Sequence, residues 1–193
     1  MYDLPIPSES EVEKYLNKWD SLENYVLQEN ALDKLFFKVY PNNDNIDDIL
    51  IKCSSLNDFY STNIFSIFPV AKHILNLNID ERLKLGDVSL VNAIANVTIG
   101  DKKLCFYSFA TKYCSHHFPN LYPIYDSFVE KVLMYFKKKD HFADFKLIDL
   151  KDYSKFKSIL IKFQEFYNIQ KYNLKDIDRY LWQLGKEYFP KNY

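Results

Sequence analysis

The scarcity of glycine constrains the fold of this chain more than any other feature of its sequence. Only Gly86, Gly100 and Gly185 occur among its 193 residues. Glycine supplies the left-handed backbone of tight hairpin turns and the close backbone approach of phosphate-binding loops. A fold built from many β-hairpins and a Gly-rich phosphate loop are therefore both disfavoured, and the sequence predicts an all-α fold.

Helix signals recur along the whole chain and predict one domain of about nine helices over residues 1–193. Apolar residues return at intervals of three and four, which is the spacing of amphipathic helices. Ser8 opens a capping box and predicts the start of the first helix, whereas Pro5 and Pro7 predict an extended arm over residues 1–7. We find no internal repeat and no linker long enough to separate domains. Further predicted segments are helices from about Asn45, over 63–77, 104–117, 124–139, 153–167 and 174–188, and a turn over 98–103.

Charge, cysteine content and hydropathy restrict the compartment and the partners. The net charge of −1 provides no basic field that would coat DNA. The three cysteines are odd in number and lack the spacing of metal ligands, which favours reduced thiols. No stretch approaches the ~20 apolar residues of a membrane span, and the acidic segment MYDLPIPSESE has no signal-peptide core. We predict a cytoplasmic protein that does not enter a membrane and that needs neither a metal nor another cofactor.

Aromatic residues make up 18% of the chain, with 16 Tyr and 16 Phe. A small core cannot hide that much ring surface completely. Either some of the rings line a cleft or an interface with a protein partner, or the excess reflects AT-rich coding bias.

The most distinctive segment runs from Tyr107 to Val129, with the sequence YSFATKYCSHHFPNLYPIYDSFV. It predicts a helix, a loop bracketed by prolines, and a second helix with Asp126 in its first turn. A carboxylate at that position is stabilised by the helix dipole and by unpaired amides, so Asp126 is either a helix cap or a functional group. His116 and His117 are either polar residues that favour the end of the first helix, or one of them is a partner for Asp126 or a substrate phosphate.

Residues 98–129, a hairpin-like segment followed by the Asp126 step, resemble the helix-hairpin-helix DNA glycosylase superfamily, and within it the 8-oxoguanine glycosylase branch. In the order of helices the resemblance extends over roughly Asp47 to Phe189. The step Pro123-Ile124-Tyr125-Asp126, followed by Ser127-Phe128-Val129, matches the step with which the family begins its catalytic helix. The resemblance implies that Asp126 is the catalytic aspartate and Tyr125 a substrate-binding neighbour. It also places Asn57, Trp182 and Gln183 near a base pocket.

The resemblance further implies a lysine amine that attacks the sugar C1′ atom and forms a Schiff base. The position of that lysine falls at or near Ser108, which would contact the substrate. Lys112 lies one helical turn away and is either a replacement nucleophile or a solvated helix lysine. A route in which Asp126 activates water remains open. In the reduced hairpin Ile99-Gly100-Asp101, the following Lys102 and Lys103 are the predicted phosphate-binding residues.

Two functions follow from these residues. The resemblance implies an 8-oxoguanine DNA glycosylase-like enzyme that captures a purine and cleaves or exchanges its N-glycosidic bond through Asp126. Its partner would be a nucleic acid, a nucleobase or a nucleotide. The missing lysine and the reduced hairpin favour the alternative, a catalytically degenerate module that binds a nucleobase, a nucleotide or a protein. Such a module could be an accessory component of a bacterial antiviral system.

Overall fold

Helices account for most of the computed structural model, which describes residues 3–189. The predicted all-α fold is confirmed, with ten α-helices in this part of the chain. A π-helical segment (Lys34–Val39), a 3₁₀ helix (Leu147–Lys151) and two short strands, β1 (Asn96–Ile99) and β2 (Lys102–Cys105), complete the elements. The helices are α1 Glu9–Trp19, α2 Glu23–Asp33, α3 Ile46–Tyr60, α4 Ile67–Leu77, α5 Asp80–Lys84, α6 Ser89–Ala95, α7 Tyr107–His117, α8 Ser127–Asp140, α9 Tyr153–Phe166 and α10 Leu174–Tyr188.

The described chain divides into two compact units. The central unit comprises residues 24–124, and the terminal unit comprises residues 3–23 together with 125–189. The prediction of a single domain stays a prediction, and its residues 1, 2 and 190–193 lie outside the described part. None of the helices within residues 3–189 has both the length and the apolar character needed to cross a membrane.

Helix α7 is the core of the central unit. Every residue of α7 except Ser108 is buried. It packs against α3 and α6, and α3 also packs against α4. Asn45 caps α3 by accepting a hydrogen bond from the amide of Asp47 at 2.9 Å, which confirms the predicted start of this helix. Polar residues on α7 are therefore held inside the unit rather than displayed on its surface.

In the terminal unit, α10 packs against both α1 and α8. Ser8 caps α1, because its Oγ accepts a hydrogen bond from the amide of Glu11 at 3.3 Å as the capping box predicts. Residues 3–7 of the predicted arm have no helix or strand, and residues 1 and 2 of that arm are outside the described range. The predicted helices over 153–167 and 174–188 are confirmed as α9 and α10.

The segment before α7 forms a β-hairpin, so the helix predicted from residue 104 was wrong at its start. Strands β1 and β2 pair antiparallel, with Asn96 opposite Cys105 and Ile99 opposite Lys102. Gly100 has φ of 59° and provides the left-handed turn between them. The β-branched residues at the end of β1 favour an extended strand. Its partner strand β2 runs to Cys105, and the helix therefore begins only at Tyr107.

Two other predicted helix starts were also wrong. Asp126 lies before the first turn of α8 rather than within it, because its backbone is extended (φ −140°) and its side chain accepts from the amide of Phe128 at 2.8 Å. Helix α4 begins at Ile67 rather than at residue 63, since Asn63 has a left-handed backbone (φ 58°). Pro69 then falls in the first turn of α4, where its missing N–H leaves no bond unmade.

Candidate functional site

Lys112 is buried in the central unit, against the expectation of a solvated helix lysine. Its side chain is only 3% exposed. The Nζ atom donates to Ser108 Oγ at 2.6 Å, one turn earlier on α7, and lies 5.2 Å from the ring centroid of Tyr60. The structure therefore brings together the predicted nucleophile and the serine that stands at the predicted lysine position.

His116 extends this arrangement by one more turn of α7. Its Nε2 atom is 2.9 Å from the hydroxyl of Tyr60, and its Nδ1 atom is 3.7 Å from Oδ1 of Asp33. The ring is 3% exposed, so His116 is an interior residue in the last turn of α7. We call Asp33, Tyr60, Ser108, Lys112 and His116 the Lys112 cluster.

A second buried lysine, Lys52 on α3, is completely inaccessible to solvent. Its Nζ atom donates to the carbonyl oxygens of Tyr40 at 3.1 Å and Asn42 at 2.7 Å, and to Oδ1 of Asn43 at 2.7 Å. These hydrogen bonds fix the loop that connects the π-helical segment to α3. Burial lowers the pKa of Lys52 to about 8, against the opposing effect of nearby carboxylates, of which Asp80 is the strongest.

Asn43 connects Lys52 to three further side chains. Its amide nitrogen Nδ2 donates to Oδ1 of Asp80 at 2.6 Å and lies 3.1 Å from Nε2 of His117. Its Oδ1 atom accepts from the hydroxyl of Tyr113 at 2.5 Å, and its backbone amide donates to Oδ2 of Asp80 at 2.9 Å. We call Asn43, Lys52, Asp80, Tyr113 and His117 the Lys52 network.

The interior of the unit holds the imidazole of His117 in its neutral form. Burial lowers the pKa of His117 well below its usual range, and the neighbouring Lys52 and His116 add to the effect. Neutral imidazole has one donor and one acceptor nitrogen. His117 can therefore accept from Asn43 at Nε2 while it donates from Nδ1.

This pKa shift predicts an acid-sensitive fold. Below pH 6.5 the unfolded His117 binds a proton that the native ring does not, so the free energy of unfolding falls as the pH falls. Between pH 7 and 5.5 the wild-type protein should lose about 1 kcal/mol more than His117→Gln, which retains an acceptor for Asn43. Urea unfolding of both proteins at several pH values measures the difference. An equal loss of unfolding free energy in the two proteins over this pH range would contradict the lowered pKa of His117.

A cleft of about 450 Å³ opens beside the Lys52 network in the central unit. Asp80 and His117 lie on its wall, together with the rings of Phe36, Phe37 and Phe118. Aromatic walls with a few polar groups are typical of small-molecule sites. The cleft is thus a second candidate binding feature, and among these wall residues only His117 was a candidate site residue in the sequence.

The other predicted residues of the central unit lie outside the Lys112 cluster. Asn57 fixes the end of α3, because its Oδ1 accepts from Thr62 at 2.7 Å and from the amide of Ile64 at 2.9 Å. Lys102 and Lys103 are exposed on β2. Their predicted contact with a phosphate stays a prediction.

The remaining predicted residues lie in the terminal unit and make contacts there. The hydroxyl of Tyr125 bonds Glu130 and Lys151. Trp182 stacks edge-on against Trp19 at 6.0 Å. Gln183 is 4% exposed and donates to the carbonyl oxygen of Tyr15 at 2.8 Å. These contacts, with the capping bond of Asp126, give each predicted residue a structural task, and their catalytic or base-binding roles stay predictions.

One signal in the sequence could have identified Lys52. It lies at helical spacing between Ile49, Cys53 and Leu56, all of which are buried on α3. A lysine within such an apolar face is either misplaced or bonded in the interior. Asn43 and Asp80 carry no comparable signal, because only the folded chain brings them together with His117. Within residues 3–189, no group of three or more His, Cys, Asp or Glu side chains could hold a metal ion.

Comparison with known proteins places these features in a family. The family model HI_0787_N, described as an N-terminal domain, matches residues 11–121, which is more than half of the chain. The chain belongs to this family. A protein of Haemophilus influenzae, described as uncharacterized, is 53% identical over 172 residues, which cover 89% of this chain and 78% of that protein. No solved structure matches the chain.

The HI_0787_N match contains the whole Lys112 cluster and the whole Lys52 network. Asp126, Trp182 and Gln183 lie beyond its end. Neither the family description nor the name of the relative states an activity. The resemblance to the glycosylases therefore stays a prediction.

Proposed function

We propose that the protein is an N-glycosidic enzyme of the glycosylase type, with the amine of Lys112 as its nucleophile. The observation that carries this proposal is the 2.6 Å contact between Lys112 Nζ and Ser108 Oγ. The resemblance puts the nucleophilic lysine at Ser108, and the amine of Lys112 lies within hydrogen-bond distance of that side chain. The nucleophile would thus be relocated by one helical turn rather than lost.

The chemistry that this amine would perform is the formation of a Schiff base. The uncharged amine attacks C1′ of a purine nucleotide, the C1′–N9 bond breaks, and the base leaves with the bonding electrons and takes up a proton. Loss of the amine proton and opening of the sugar ring then give an imine between C1′ and Nζ. The resemblance implies that a carboxylate assists the departure of the base, and it assigns that role to Asp126.

The surroundings of Lys112 suit a positioned amine. Ser108 holds Nζ at one end of the cluster, and the ring of Tyr60 lies against it. His116 holds the Tyr60 hydroxyl in turn, so the aromatic face has a fixed orientation. Such support by neighbouring side chains is what keeps a reacting group in a productive geometry.

Borohydride trapping with peptide mapping tests the proposal. Single- and double-stranded oligonucleotides containing 8-oxoguanine would be incubated with wild-type protein and sodium borohydride, which reduces the imine to a stable amine. We expect a covalent adduct and release of the free base. Mass spectrometry of the digested adduct should place the added mass on Lys112, which identifies the nucleophile without a variant.

Variants provide the controls for this experiment. Lys112→Met keeps the side-chain volume and should reduce trapping at least a hundredfold, whereas Lys72→Met removes an exposed amine of the same unit and should leave trapping unchanged. Asp126→Asn tests the predicted aspartate in the same assay, and thermal unfolding confirms that each variant folds. Base release without an adduct would contradict an amine nucleophile. Neither adduct nor base release would reject glycosylase action on these oligonucleotides and favour a binding role.

A further inference from the structure

Ser108 is the one residue of α7 that is not buried, and its side chain contacts the amine of Lys112. Its Oγ atom lies 2.6 Å from Nζ of Lys112, whereas its carbonyl oxygen lies 3.5 Å from the same atom. The hydroxyl is therefore the closer of these two partners. Because Lys112 is only 3% exposed, an external group meets the serine as the accessible member of the pair.

The contact between the two side chains is of the kind that activates a serine. A serine hydroxyl is a weak nucleophile unless an adjacent base accepts its proton. An uncharged lysine amine at hydrogen-bond distance can be that base. The four-residue spacing places Ser108 and Lys112 on one face of α7, so the helix backbone fixes their relative position. The ring of Tyr60, whose centroid is 5.2 Å from Nζ, supports the amine.

The start of α7 also supplies a donor for a developing oxyanion. The first amides of an α-helix have no acceptor within the helix, and Phe106, which precedes α7, makes no side-chain cap. Among the described residues, the amide of Phe109 therefore has neither an intrahelical acceptor nor a capping side chain. Phe109 follows Ser108 directly, at the positive end of the helix dipole. A backbone amide beside the nucleophile stabilises the negative oxygen of a tetrahedral intermediate.

We propose that Ser108 and Lys112 form a serine–lysine pair that hydrolyses a carboxylic ester. Nζ of Lys112 accepts the hydroxyl proton while Oγ of Ser108 attacks the carbonyl carbon of the ester. The bond between that carbon and the alkoxy oxygen breaks, the alkoxide takes the proton from Lys112, and an acyl-serine remains. A water molecule then gives a proton to Lys112 and attacks the acyl carbon, and Oγ leaves and regains the proton.

This activity goes beyond the proposed glycosidic function and does not rest on it. In the glycosidic reaction the amine of Lys112 would form a bond to carbon, whereas in ester hydrolysis it only transfers a proton and Ser108 forms the covalent bond. The two reactions leave their adducts on different residues. Each can therefore fail without the other.

Labelling with diisopropyl fluorophosphate tests the pair. An activated serine attacks the phosphorus atom of this reagent, and fluoride leaves. We expect mass spectrometry of the digested wild-type protein to place the diisopropylphosphoryl group on Ser108, and hydrolysis of p-nitrophenyl acetate to stop once the label is in place. Ser108→Ala should abolish both. Ser66→Ala, which removes an exposed hydroxyl just before α4 in the same unit, should change neither.

Two substitutions of Lys112 separate a base from a merely positive side chain. Lys112→Arg keeps a cation that cannot accept a proton, and Lys112→Met keeps neither property. Both should slow the labelling of Ser108 at least a hundredfold, and thermal unfolding checks that each variant folds. Absence of the label from Ser108 in the wild-type protein, continued ester hydrolysis after complete labelling, or labelling of Lys112→Arg at the wild-type rate would each overturn the proposal.

Discussion

Replacement of Lys52 with methionine should lower the free energy of unfolding by about 3 kcal/mol. Methionine preserves most of the side-chain volume, so the change removes the ammonium group without opening a large cavity. Three oxygen acceptors, on Tyr40, Asn42 and Asn43, then lose the hydrogen bond from Lys52. A buried acceptor left without a partner costs about 1–3 kcal/mol.

We expect less than the full cost of three lost hydrogen bonds, because burial already disfavours the charged form of the native lysine. Its pKa is lowered to about 8, which means that the interior disfavours the ammonium form, and its removal relieves that cost. The Tyr40 and Asn42 bonds are only partly buried, so water can replace part of them. The bond to Asn43 is fully buried, but its Oδ1 atom keeps the hydrogen bond from Tyr113, so this acceptor also loses less than an unpaired one would.

Urea unfolding of wild-type, Lys52→Met and Lys72→Met proteins at pH 7 measures the effect. Lys72 is an exposed lysine on α4 in the same unit, and its substitution should change stability by less than about 0.5 kcal/mol. An equally small change for Lys52→Met would show that the buried bonds contribute nothing net.

The pH dependence of the same comparison tests the lowered pKa. Between pH 8 and 10.5 the native Lys52 loses its proton while the unfolded lysine keeps it, so the stability of the wild-type protein rises with pH. Lys52→Met lacks this contribution. The difference in free energy of unfolding between the wild type and Lys52→Met should therefore increase by up to about 1.4 kcal/mol per pH unit across this window.

Local signals in the sequence predicted the helices well where a cap defines the start. Ser8 and Asn45 accept hydrogen bonds from amides two or three residues ahead, so the information lies within one turn of chain. The β-hairpin was missed because all four residues of β2 are exposed, and an exposed strand lacks the alternation of apolar and polar residues that reveals a half-buried one. Its pairing with β1 is also invisible to helical periodicity.

The candidate site was only partly predictable for a different physical reason. The four-residue spacing of Ser108 and Lys112 correctly predicted that they lie on one face of α7, because this spacing depends only on the local helix. Whether the face is buried depends on helices far away in sequence. Asn43 and His117, which are bonded in the Lys52 network, are separated by 74 positions, and no pattern in a single sequence encodes such a pairing.

Gly185→Ala should destabilise the protein by about 2–3 kcal/mol, although alanine is the better helix former. On an open helix surface this change would stabilise α10 by about 1 kcal/mol. At this position an added Cβ atom would lie 2.7 Å from both the Cβ and the carbonyl oxygen of Phe128 on α8. Because one of these atoms belongs to the backbone, a side-chain rotation cannot relieve the contact, and α8 and α10 must move apart.

Gly100→Ala is the matched substitution that separates crowding from backbone strain. No atom lies within 4 Å of a Cβ added at Gly100, but its φ of 59° is unfavourable for alanine, so we expect a loss of only about 1 kcal/mol. Thermal and urea unfolding should therefore rank Gly185→Ala as clearly more destabilised than Gly100→Ala. If Gly185→Ala were instead more stable than wild type, the intrinsic helix preference would outweigh the contact. The close approach of α10 to α8 could then not be what requires a glycine at this position.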